Sequence, residues 1–296
     1  MSEVATSASD ITAKHSAVAF QFVADLAAEV SAGRVELPAF PDVATRVRKA
    51  LADEHVGPDQ VSRVVGSEAG LAARVMTLAN SAALNRSGKT VTELKTAINR
   101  IGHNNVRTAA VAFAISQLRR AGELRPIAKQ LEGLWREATL VAALCHAIAT
   151  RVPNINSDEA MLTGLIHNVG KIYILARAHK YDELFSNPQA LNLVMRDWQA
   201  NVGKAIVENW GFSQPIAEAV GEHEDIEREV ERADLTDVLT VAVLAATYHD
   251  QPEIDLELNM QGVGAFARLG LDNAKFAHVM RDCVEEITAL RSALGD

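Results

Sequence analysis

The chain has 296 residues, 48% hydrophobic and 23% charged, an ordinary globular balance that excludes a disordered or fibrous chain. That length suits one large domain or two packed subdomains. The net charge of −9, from 29 basic and 38 acidic residues, argues against nucleic acid as the main partner, because binding phosphates requires cations that displace their counterions.

Residues 1–10 read as a loose Ser/Ala/Thr-rich tail with no signal-peptide pattern. From Ile11 to Val30 apolar residues recur at helical spacing, and Gly33 suits the end of that helix. Leu37-Pro38-Ala39-Phe40-Pro41 reads as extended, because proline disfavours helix at the residue before it. Helices are predicted at Asp42–Ala52, capped by Asp42, at Asp59–Val65 and at Glu68–Asn80. Thr92 is predicted to cap a helix ending near Gly102, and Asn104 to cap a longer one through Leu118. The charged, Gly-containing run Arg119–Arg125 is taken as the seam between a first half, 11–122, and a second, 123–296.

Pro126 is expected at the first position of a helix reaching Arg151. Ser157 opens the next predicted helix, which continues to Ala178. A short piece at Tyr181–Leu184 precedes helices at Ala190–Asn209, Pro215–Glu224, Leu235–His249 and Asn273–Leu294. No run of alternating β-branched residues interrupts the series, so the fold class is all-α. No stretch of about 18 apolar residues suggests a membrane-spanning helix. The two cysteines, Cys145 and Cys283, sit in apolar helical patterns and read as buried thiols, which fits a reducing, cytoplasmic setting.

Several segments then carry a resemblance. The first half holds the LPAFP opening at 37–41, the run LANSA at Leu78–Ala82 and the run AINRIG at Ala97–Gly102. The second half holds GLIHNVGK at Gly164–Lys171, then Val202-Gly203, Trp210, Pro215-Ile216 and Gly221-Glu222-His223. In this order, over roughly residues 30–250, they resemble the HDOD family, the HD-related output domain. The resemblance implies an N-terminal helical subdomain packed on an HD-like helical bundle. HD-domain phosphohydrolases share that bundle and hold one or two divalent metals with a ladder of His and Asp side chains.

Carried over residue by residue, that ladder is depleted. Glu137, two residues after Trp135, stands at the first histidine place. The His-Asp pair is His167-Asn168, Gln199 stands at the next histidine, and His223-Glu224 stands at the later histidine pair. Thr247 aligns with the final aspartate, with Asp250 nearby. Imidazoles and carboxylates bind first-row divalent ions and activate water, whereas a neutral carboxamide is a weak ligand. No catalytic residue and no cofactor are assigned on this basis. The alternative is a phosphohydrolase of nucleotides or phosphate esters, its divalent metal held by His167 and His223 with Glu137, Glu224 and Asp250 as substitute carboxylates. The HD-GYP subgroup's Gly-Tyr-Pro is missing.

His167 and Lys171 are four residues apart, on one helical face if the helix is continuous. They read either as a remnant anion pocket or as a structural histidine with a solvated lysine. Asn80 and Ser81 read as helix-end residues, Arg46, Arg48 and Arg74 as surface charges, and Arg119, Arg120 and Arg125 as a solvated cluster. Adjacent Cys145 and His146 point about 100° apart on a helix and form no nucleophile-base pair. The resemblance implies a regulatory module that contacts signalling proteins or senses a small anionic or nucleotide ligand in a degenerate cleft.

Overall fold

The structure, a computed structural model, describes residues 18–35, 42–51, 56–85, 87–249, 262–282 and 284–295. The expected tail, the start of the first helix, the 37–41 opening, Asp250, Cys283 and the capping side chain of Asp42 lie outside the described residues. Among the described residues every regular element is a helix, as the composition predicts.

The first half comprises α1 (residues 18–31), α2 (Asp42–Leu51), α3 (Pro58–Gly66), α4 (Ala69–Ala79) and α5 (Leu94–Arg119). A core of Val47, Val61, Leu71, Val75, Ile98 and Ile115 joins α2, α3, α4 and α5. Gly102 interrupts α5 with φ 75° and ψ 171°, a left-handed conformation that glycine adopts without a Cβ clash. The expected helix boundary at Gly102 is therefore a kink. The start of α5 is corrected: Glu93, extended, precedes its first turn, and Thr92 does not cap it.

A 3-10 turn at Gly122–Ile127 contains Pro126, so α6 begins later than expected, at Ala128, and runs to Ala149. Next come α7 (Ser157–Ile166) and α8 (Val169–Ala178), then α9 (Asp182–Phe185), α10 (Pro188–Asn209), α11 (Gln214–Glu222) and α12 (Leu235–His249). The chain continues through α13 (Gly264–Arg268), α14 (Asn273–Asp282) and α15 (Val284–Leu294). α7 opens at Ser157 as expected, and Asn156 caps it by accepting from the backbone N–H groups of Asp158 and Glu159.

The predicted helix from Ser157 to Ala178 is in fact two, broken at His167-Asn168. Two side chains bond the backbone there: the His167 ring folds back to the Gly164 carbonyl of α7, and the Asn168 carboxamide crosses to α6. After the break α8 lies against α10 so closely that a Cβ on Gly170 would collide with the Gln199 carbonyl oxygen. Only glycine permits that approach.

The halves are joined where α5 packs on α7 and where α15 spans α4 and α6. The seam in sequence is not a seam in space for α1, which docks on the second half. Phe22 meets Tyr181 edge-on at 5.3 Å, Glu29 pairs with Tyr173 and Arg177, and Asn209 donates to the Val35 carbonyl at 3.2 Å.

Candidate functional site

The HD-like positions gather where α6, α7, α8, α10 and α11 converge. His167 ends α7 and His223 ends α11, each placed by its helix C-terminus. In both rings Nδ1 faces the carbonyl three residues earlier, Gly164 at 2.7 Å and Val220 at 3.0 Å. A carbonyl only accepts, so each Nδ1 carries the proton, and a neutral ring keeps its Nε2 as an acceptor. The rings meet edge to face, 5.7 Å between centroids and 88° apart. Thr240 of α12 donates to the His223 carbonyl at 2.9 Å, tying that end in place.

Glu137 supplies the charge. Its carboxylate lies 3.8 Å from His167 Nε2 and 3.7 Å from Lys171 Nζ. Burial works against its ionisation, but His167, Lys171 and the Asn168 amide outweigh it and hold the carboxyl at about 2. His223 is the opposite case. Burial, helped by His167 and Lys171, pushes its pKa down to about 3, so the ring is neutral. His167 and Lys171 straddle the helix break instead of sharing one continuous face, yet both reach Glu137.

Asn168 is fully buried, and its amide nitrogen donates to the Leu134 carbonyl at 2.9 Å and to Glu137 at 3.4 Å. Gln199 is also fully buried, and neither amide atom has a hydrogen-bond partner in the protein; Asn168 Oδ1 has none either, and His167 Nε2 has only the longer approach of Glu137. Glu137, His167, Asn168, Lys171 and His223 are thus brought together, with Gln199 on α10 behind the α8 contact. Glu224 is exposed just beyond α11, and Thr247 is exposed on α12, where its hydroxyl donates to Val243.

One buried acid escapes sequence reasoning. Asp237, 2% exposed, takes a two-pronged bond from Arg268 at 2.9 and 2.7 Å and faces Arg228 at 3.7 Å. Arg228 also binds Asp234 and Glu222, so the cluster fixes the end of α11 to the start of α12 and the end of α13. A lone Asp in the apolar run LTDVLTVAV carries no signal of its distant arginines.

Among the described residues no three His, Cys, Asp or Glu side chains are placed to share a metal. The buried ladder places hold two imidazoles and two carboxamides, and Glu137 beside them is paired with Lys171, while the Glu224 carboxylate and the Thr247 hydroxyl are exposed.

The profile of the HDOD domain matches residues 37–226, well over half of the sequence. The chain belongs to the HDOD domain family. A solved protein from Shewanella amazonensis, provisionally named a metal-dependent phosphohydrolase, is 22% identical, with TM-score 0.77 over 94% of this chain and 99% of its own. An HDOD domain protein of unknown function from Geobacter sulfurreducens is 24% identical, TM-score 0.62, covering 92% and 97%. A protein from Marinobacter aquaeolei, provisionally named for signal transduction, is 18% identical, TM-score 0.57, covering 89% and 61%. No curated protein matches the sequence. These likenesses establish the HDOD fold expected from the motifs. No helix among the described residues is long and apolar enough to cross a membrane.

Proposed function

We propose that this HDOD chain is a non-catalytic regulatory module of the cytoplasm that acts through contacts with signalling proteins or by sensing a small anionic or nucleotide ligand. One observation carries the reading. Where catalytic HD relatives need a carboxylate, Asn168 stands, and its amide works as a donor to the Leu134 carbonyl and Glu137. A carboxylate cannot make those bonds, because an ionised carboxyl only accepts. The position serves as a latch between α8 and α6, and Glu137 is spent on Lys171 and His167.

A second reading has a specific observation behind it. Both histidines donate Nδ1–H to a backbone carbonyl, the arrangement that prepares Nε2 to bind a metal. That favours a metal-dependent phosphohydrolase acting on a nucleotide or phosphate ester.

Elemental analysis of protein purified without chelator and incubated with Mn²⁺, Fe²⁺, Mg²⁺ or Zn²⁺ separates the two. The regulatory reading expects no ion near stoichiometry and no turnover on a panel of phosphate esters and nucleotides. Retention of one or two ions, released by His167→Ala, overturns it.

A further inference from the structure

The helix α1 lies outside the stretch that matches the HDOD domain, which begins at residue 37. The residues that receive it, Tyr173, Arg177, Tyr181 and Asn209, all lie inside that stretch. So a helix from before the domain covers a face of the domain's second half.

The contact has a regular pattern. Tyr173 and Arg177 are one turn apart on α8, and Tyr181 follows one turn further on, just past the helix end. Together they form a row of three donors. α1 presents two acids at the same spacing. Glu29 accepts from Tyr173 and Arg177, and Asp25 accepts from Tyr181 at 3.4 Å. The earlier acid meets the later donor, so α1 runs antiparallel to α8. Phe22 and Leu26, each 2% exposed, form the apolar side of α1, and Phe22 is edge-on to Tyr181. Beyond α1 the chain is tied down once more, where Asn209 at the end of α10 donates to the Val35 carbonyl.

The face under α1 therefore offers three donors beside an apolar floor. Arg177 adds a cation whose planar fork suits a carboxylate. Acids four residues apart on a helix, with apolar residues at the same spacing, satisfy such a face. That is the pattern of an acidic amphipathic helix laid in a groove.

We propose that the α8 face under α1 is a docking groove for an acidic amphipathic helix of a partner protein, with α1 as the groove's own competing occupant. The partner's helix repeats the α1 pattern, with apolar residues at the places of Phe22 and Leu26 and acids at those of Asp25 and Glu29. Because α1 shares a chain with the groove, its effective concentration there is on the order of millimolar, and it excludes helices that match the groove poorly. The inference rests on the regulatory reading, since it names the protein contact through which the module acts. It involves neither His167 nor His223.

The test uses the full chain and a fluorescein-labelled peptide of residues 18–34, with fluorescence anisotropy as the readout. The parent chain binds the peptide weakly, because its own α1 is in place. Glu29→Lys in the chain sets a second cation against Arg177, frees the groove and tightens peptide binding at least tenfold. Against that variant, a peptide carrying Asp25→Asn and Glu29→Gln binds at least tenfold more weakly, and so does the parent peptide once Arg177→Gln is added to the chain. Equal affinity for parent and Glu29→Lys, or binding indifferent to the two acids, overturns the proposal. Light scattering adds a second check: a parent chain that is dimeric and becomes monomeric with Glu29→Lys assigns the groove to α1 of a second copy and overturns the partner. If Glu29→Lys fails to fold, Phe22→Ala replaces it with the same expectations. No metal or substrate enters the measurement, so a negative result leaves the regulatory reading to its own test, and an ion retained at His167 leaves the groove standing.

Discussion

The carboxamide nitrogen of Asn168 donates to the main-chain carbonyl of Leu134 at 2.9 Å, tying the turn between α7 and α8 to the middle of α6. Asn168→Asp replaces that donor with a buried carboxylate facing a carbonyl and Glu137. The loss is expected to be about 2–4 kcal/mol of stability in urea denaturation, a lost buried bond plus an unpaired charge. Burial and Glu137 raise the new carboxyl's pKa, so the variant's deficit relative to the parent is smallest at low pH and grows as pH rises through that pKa. A variant as stable as the parent at pH 7.5 contradicts the latch.

Acid sensitivity follows from His223. Its folded pKa of about 3 lies below its ordinary 6.5, so between those values the unfolded chain binds the proton and the folded chain does not. Its contribution is complete above pH 6.5 and is lost as pH falls towards 3. Stability should drop by about 2 kcal/mol from pH 7.5 to 5 through this group alone. His223→Gln should flatten that part of the profile; an unchanged slope in thermal melts refutes the assignment.

Glycine at position 170 is required by the contact of α8 with α10. Gly170→Ala drives a methyl group into the Gln199 carbonyl, which is backbone and cannot swing aside. Overpacking of this kind costs about 3 kcal/mol or more. Soluble expression with a melting temperature within a few degrees of the parent shows that the helices separate more easily than their packing implies.

Asp237→Asn leaves Arg268 and Arg228 without their buried anion. Breaking one partner of such a cluster costs about 3–5 kcal/mol, and burial makes the loss insensitive to salt. Equal denaturation midpoints for variant and parent place the cluster's contribution near zero.

Most of the architecture is legible in the sequence, because helical periodicity is a local property. The α12 pattern and the LANSA and GLIHNVGK segments are readable within a single turn or two. The break at His167-Asn168 is not, because its cause is the Leu134 carbonyl, 34 residues away. The same holds for α1, whose polar face is matched by Tyr173 and Arg177, and for Asp237, whose arginines are distant in the chain.

At the site the sequence by itself determined which side chains stand at the HD-like positions, and that a neutral amide replaces an acid at 168. Only the tertiary structure decided what those side chains do. Glu137 joins Lys171 and His167 because three helices converge there, and Glu224 stays exposed because it lies beyond the end of α11. Arg74 reads as a solvated charge until α15 folds across it and removes it from water. Side-chain identity is written along the chain, whereas desolvation and pairing are properties of the neighbours that the fold brings in.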